Sequence, residues 1–216
     1  MAKPPRPNLS LPMVLEAAAR VLGREGCDGL TMRAVAAELG VQAPALYWYV
    51  KDKQALELAL YDHLMSDLVF APQGADWRED VRCMAQNLRR HFLSRRDVAR
   101  LLPAGFFFAP RSMTLLDVAL GVLLDAGLSP RDAGYAFVTA FAFVVNWSLG
   151  EAQVRERPPG QLPGLDVDAK AMIASGAFPN FAAASASFTE PGDLDEQFLF
   201  GLNALIAGFE QLIPTG

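Results

Sequence analysis

A chain of 216 residues, 52% of them apolar, can bury a sizeable core and form one or two domains. Its two cysteines, Cys27 and Cys83, lie far apart, which excludes a disulfide framework and fits a reducing cytoplasm; the polar, proline-rich start carries no signal-peptide pattern. The net charge of −5 disfavours loose wrapping around a polyanion by the chain as a whole.

Taken in chain order, Ser10 and Pro12 open a helix over about 11–25, with the serine as cap and the proline in the first turn. Thr31 is placed to cap a second helix, whose apolar face is Met32, Val35, Ala36 and Leu39, at i, i+3, i+4 and i+7. Gly40 ends it. Pro44 suits the first turn of a third, short helix crowded with Tyr47, Trp48 and Tyr49, in which Ala43 and Ala45 are small enough to let backbone approach a groove. Two turns of helix are marginal alone, so neighbours must hold it. Lys51 and Lys53 follow at once, where phosphates would lie, and Asp52 is placed to cap a long helix reaching about residue 70.

Helix, glycine turn, short aromatic helix, lysine pair and long helix together form the layout of a helix-turn-helix DNA reader. The charge distribution agrees. Residues 1–53 hold seven Lys/Arg against five Asp/Glu, a balance of +2, and the remainder carries −7. Phosphate neutralisation is local, so an acidic body does not forbid binding by a basic head. The segment AKPPRPNLS, with Lys3 and Arg6, is open to two readings: a tail, or an arm that adds a phosphate or minor-groove contact.

Thr31, Ala36, Leu39, Gly40, Val41, Leu46, Tyr47, Lys53 and Leu56 stand where the TetR family of repressors has its N-terminal pattern, and the chain resembles that family. Trp48 and Val50 bring the stretch nearest to the tetracycline-repressor subgroup, and LLDAGLSPRDAGYA and FLFGLNALIAGFEQL extend the likeness into the body. The resemblance implies an all-α fold with a DNA-binding head over 1–53 and an effector-binding, dimerising body over 54–216. It places Arg33 at a position that reaches a base edge, where an arginine fork suits guanine; the alternatives are a phosphate contact or a salt bridge with Glu38. It places Tyr47 and Lys53 at phosphate-contacting positions, and Gln42 and Tyr49 at positions that vary with operator sequence. Trp48 is either a buried anchor or a backbone contact. With Thr31, Ala43, Pro44, Ala45 and Lys51 these make the expected DNA face, and the double-stranded operator is the expected partner.

In the body, Pro72–Gly74 breaks the long helix and Asp76 caps the next, to about Ser94, with Val81, Met84, Ala85, Leu88 and Phe92 at helical spacing. Short helix Asp97–Leu102, apolar loop Gly105–Pro110 and helix Ser112–Ala126 follow. Ser129 and Pro130 open a helix to about residue 157, uncharged over Ala133–Gly150. That run is close to membrane-span length, but it contains Thr139, Asn146 and Ser148 and lacks flanking basic asymmetry, so a helix buried on every side is expected and no membrane role. After a loop at 158–166 and a helix near Asp168–Ser175, the last helix runs over about 193–212. The resemblance makes the two apolar helices a homodimer interface; the alternative is intrachain core.

The subgroup holds a drug–magnesium complex through a histidine of the short mid-body helix and a carboxylate of the long apolar one. Here Leu102 occupies the histidine position, the carboxylate falls at Gly150 or Glu151, and the polar drug contacts become Met84 and Ala119. Magnesium needs hard oxygen ligands. No metal or other cofactor is therefore expected, and the magnesium–tetracycline complex is not the expected ligand. The expected effector is an apolar or aromatic small molecule, in a pocket drawn from Leu102, Phe106, Phe107, Phe108, Met113, Phe141 and Trp147, with Gln86, Asn87, His91 and Asn146 as polar fixers; each is equally readable as core. No G-x-S-x-G, H-E-x-x-H or glycine-rich phosphate loop is present, so no enzyme is expected. A repressor is the main reading. An activator with the same head, or a protein-binding module keeping the head as scaffold, are the alternatives.

Overall fold

The computed structural model describes residues 9–95, 97–102, 109–156, 171, 175–184 and 193–214, and among these it is helical with no strand. Helix α1 spans Leu11–Gly29, α2 Met32–Glu38 and α3 Lys53–Leu64, with a 3-10 helix, Ala43–Trp48, between the last two. The body follows as α4 (Trp77–Ser94), a second 3-10 helix (Val98–Leu101), α5 (Pro110–Asp125), α6 (Pro130–Arg155), α7 (Pro179–Ala184) and α8 (Leu194–Glu210). The expected loop at 158–166, most of the helix near 168–175, the N-terminal arm and Phe106, Phe107 and Phe108 lie outside the described residues.

The starts of the helices follow local chemistry. The Thr31 hydroxyl accepts from the Ala34 N–H at 3.1 Å, Asp52 from Ala55 at 2.7 Å and Ser129 from Asp132 at 3.2 Å; each satisfies a donor that the first turn leaves free. Ser10 occupies the cap position of α1 but makes no such bond. Gly40 takes φ +67° after α2, a left-handed turn that glycine adopts without a Cβ penalty. Replacing Asp52 with Ala is expected to cost about 1 kcal/mol, read as a lowered unfolding midpoint, because α3 loses its only side-chain cap.

Three elements differ from the sequence expectation. The aromatic helix is 3-10 rather than α. Helix α3 stops at Leu64 instead of running to about 70: Met65–Leu68 turns back on itself, and the side chain of Arg111 takes the carbonyls of Met65 and Leu68. The third is α6. Only 22% of its apolar window is buried within one chain, so the cover that its sequence calls for does not come from its own fold.

One cluster of buried side chains runs through both halves, from Val14, Val21 and Leu46 through Leu56 and Leu60 of α3 to Leu88, Val144, Phe198 and Ile206. Helix α3 packs on α1, on α5 and on the second 3-10 helix, so it ties the head to the body.

Within the body, Arg89 of α4 and Glu151 of α6 form a buried two-pronged ion pair, Nε–Oε2 2.7 Å and Nη2–Oε1 2.9 Å. The guanidinium also reaches Asp195 of α8 at 2.7 Å and lies over the Phe198 ring at 4.6 Å. Trp147 and Arg155 donate to the same carboxylate at 3.1 and 2.6 Å. Three helices are thus fastened at one point. Beside it, Gly201 admits the Phe143 ring, where a Cβ would lie 2.7 Å from ring carbons.

Candidate DNA face and effector cavity

Leu46 and Val50 are buried, and the 3-10 helix packs against α2. Anchoring these two turns the rest outward: Gln42, Pro44, Tyr47, Trp48, Tyr49, Lys51 and Lys53 are all exposed, and Ala43 and Ala45 lie half-buried between them. Trp48 is 89% exposed, so of its two readings the buried anchor does not hold. Arg33 is also exposed. Glu38, its proposed salt-bridge partner, is taken instead by Arg20 at 2.8 Å and Arg24 at 3.1 Å. Hydrogen bonds from Arg20 and Arg24 hold the Glu38 carboxyl below its usual range. Among the described residues Arg33 and Lys51 have no ion-pair partner, while Lys53 lies 3.4 Å from Glu57. Among the described residues Arg33 and Lys51 are thus exposed cations without an ion-pair partner, and Trp48 is a bare indole.

Tyr49 has a second task. Its hydroxyl donates to the Leu9 carbonyl, so it holds the point where the N-terminal residues enter α1. At the other end of that helix, Gly26 (φ 73°) kinks the chain. There the Asp97 carboxylate, ahead of the second 3-10 helix, accepts from the Cys27 N–H at 2.8 Å. Burial, with Asp97 beside it, pushes the Cys27 thiol up to about 11, so it is a neutral packing group at physiological pH.

The body encloses a cavity of about 460 Å³ between α3, α4, α5 and α6. Tyr61 comes from α3 and Met65 from the turn after it, Val81, Met84, Ala85 and Leu88 from α4, Ser112, Leu115 and Ala119 from α5, and Ala136, Phe137, Phe141 and Val145 from α6; Leu102 closes one side. No charged side chain lines it among the described residues, and the polar groups are Ser112, Asn146 and the Tyr61 phenol, whose pKa burial raises. Of the residues expected there, Leu102, Phe141 and Asn146 stand in the wall. Trp147 lines a second hollow between α6 and α8, with Phe143 and Glu151. Gln86, Asn87, His91 and Met113 are not in the wall. The cavity face of α4 is 81/84/85/88, which turns Gln86 and Asn87 aside, and Met113 faces outward, 40% exposed. His91 packs under Asp67 and Arg95; burial first, and then the neighbouring guanidinium, lower its pKa and favour the neutral ring.

An outward-facing helix-turn-helix, joined to a helical body with an apolar cavity, is the arrangement of a DNA-binding regulator with a small-molecule site. Residues 14–60 match the model for bacterial regulatory proteins of the tetR family, and residues 71–213 match the tetracyclin repressor-like C-terminal domain. The chain belongs to the TetR family of transcriptional regulators. It is 34% identical to the class C tetracycline repressor protein of Escherichia coli over 209 residues, covering 94% of this chain and 91% of that one. It is also similar to ActR of Streptomyces coelicolor, with TM-score 0.84 and 26% identity over 96% of this chain and 97% of the other for the apo form. ActR has also been solved with actinorhodin, at TM-score 0.80. A TetR variant from Acinetobacter baumannii in complex with minocycline matches with TM-score 0.72 and 28% identity over 96% of this chain and all of the other.

Proposed function

We propose that this chain is a cytoplasmic homodimeric repressor that leaves a palindromic operator when a neutral, largely apolar or aromatic small molecule fills the cavity. The cavity carries this reading. Its volume lies in the range of small-molecule sites. The described residues of the wall carry no charge, which suits an uncharged ligand, since burying an unpaired charge there would cost heavily. The wall also abuts α3, whose first residue, Lys53, lies in the DNA face.

The same wall does not fit a magnesium–drug complex. Among the described residues it offers a hydroxyl, an amide and a phenol but neither carboxylate nor imidazole, and Leu102, Met84 and Ala119 stand where the subgroup is expected to carry polar ligands. Glu151, the carboxylate nearest the expected position, is already bound by Arg89, Trp147 and Arg155.

Dimerisation supplies the missing cover of α6. Tyr135, Val138, Ala142, Asn146 and Val154 form one exposed stripe, and Phe200, Ala204 and Ala207 a second on α8, which packs against α6. An apolar surface of this kind marks a contact between proteins. Val138, Ala142 and Asn146 belong to both stripe and cavity wall, so a second copy would also close the cavity mouth. Two copies would then present two DNA faces to one operator. Arg33 would read a base edge; Thr31, Gln42, Ala43, Pro44, Ala45, Tyr47, Trp48, Tyr49, Lys51 and Lys53 complete the face.

Titration with the neutral fluorophore N-phenyl-1-naphthylamine is expected to give saturable fluorescence enhancement and to lower the affinity for DNA flanking the chain's own gene; minocycline with magnesium is expected to do neither. Ala119→Trp, which fills the cavity from α5, should abolish probe binding. Magnesium-dependent minocycline binding would contradict the ligand class proposed.

A further inference from the structure

Helices α3 and α5 cap each other. Asp62, in the last turns of α3, places Oδ1 3.1 Å from the Arg111 N–H and 3.2 Å from the Ser112 N–H, with the Ser112 hydroxyl at 3.5 Å. These are the first donors of α5, whose own N-cap residue, Ala109, has no side chain to offer them. In return the Arg111 guanidinium runs back to the end of α3, with Nε donating to the Met65 carbonyl at 3.3 Å and Nη2 to that of Leu68. A carboxylate sits at a helix N-terminus and a guanidinium at a helix C-terminus, so both charges also match the helix dipoles.

This exchange is part of the cavity wall. Tyr61 and Met65 on the α3 side and Ser112 and Leu115 on the α5 side all line the cavity. Ordinary packed helices can slide by an ångström or two. Two helices that supply each other's terminal hydrogen bonds slide only by breaking those bonds between partly buried groups.

We propose that the Asp62–Arg111 exchange is the joint through which the cavity moves the DNA face: a ligand that displaces α5 carries the end of α3 with it, and α3 carries the displacement to Asp52 and Lys53. The joint rests on the effector reading given above. It names the coupling element, which in a two-state regulator is the part both sites must bias. Neither Asp62 nor Arg111 is in the DNA face, and neither side chain lines the cavity. Their loss should therefore remove the coupling and leave both binding events in place.

The test is amide hydrogen exchange on the full chain with and without N-phenyl-1-naphthylamine, with occupancy read separately by fluorescence. In the wild type the probe should alter exchange around 61–68 and 109–113, and also at Ala55 and Leu56, the amides tied to Asp52 at the far end of α3. Arg111→Met and Asp62→Leu break the joint from opposite sides, so one remains informative if the other fails to fold. Each should bind the probe with an unchanged titration midpoint and lose the response at Ala55 and Leu56. Retention of that response in a folded variant would overturn the joint, as would a wild-type response confined to the cavity wall. Absence of probe binding to the wild type, seen in the fluorescence alone, would overturn the cavity reading and the joint with it.

Discussion

Glu151→Ala is expected to destabilise the protein by about 3–5 kcal/mol, the usual cost of leaving one partner of a buried ion pair alone. The substitution strands Arg89, whose side chain is 7% exposed, and removes the acceptor for Trp147 and Arg155. Asp195 would still neutralise Arg89 in part, but it is itself exposed, and the pair it makes is screened. Denaturant unfolding at fixed protein concentration reads the loss. The double variant Arg89→Met/Glu151→Leu should recover most of it, because it removes both charges and keeps the volume. A single-variant loss below about 1 kcal/mol would be the figure for a surface pair and would contradict the buried fastening.

The pair also sets a pH dependence. Burial alone would raise the Glu151 pKa, and the hydrogen bonds from Arg89 and Arg155 outweigh it and hold the group below its usual range. A carboxyl with a depressed folded pKa contributes stability that is fully present above its unfolded value, about 4.3, and is lost as pH falls through the folded value. The wild type should therefore lose stability on the acid side of that value more steeply than the double variant does.

The second large effect is on DNA. Arg33→Ala should weaken operator binding by about 1–3 kcal/mol and relax selectivity at one base position. Arg33 is exposed and Glu38 is occupied by Arg20 and Arg24, so no internal contact is lost and the unfolding midpoint should not move. Lys51→Ala provides the contrast: a phosphate contact should weaken all sequences alike and reduce the salt slope by about one. A weakening by Arg33→Ala that is equal on operator and scrambled DNA would assign Arg33 to a phosphate instead.

What the sequence made legible was local. Thr31, Asp52 and Ser129 bond amides within three residues, so the helix starts could be placed from cap residues alone, and the apolar spacing of α4 gave the face that became a cavity wall. The end of α3 was not legible, because its stop depends on Arg111, more than forty residues on. Arg89 and Glu151 are 62 residues apart and sit on separate helices, so nothing local announced their pairing. Trp48 was ambiguous since an aromatic in a short helix can face either way; the burial of Leu46 and Val50 decides it. Asn87 and Met113 were chosen by residue type, and side-chain type alone does not say which helical face meets the cavity. The apolar run of α6 implied burial on every side, yet only 22% of its apolar window is buried within the one chain.

The most direct measurement is the binding of the purified chain to DNA flanking its own gene, against a scrambled fragment, across a salt series, with and without N-phenyl-1-naphthylamine. Specific, salt-steep binding by two copies per site, weakened by the probe, is the predicted result. Equal, weak binding to both fragments at every salt concentration, or specific binding that the bound probe leaves unchanged, would contradict an effector-released DNA reader.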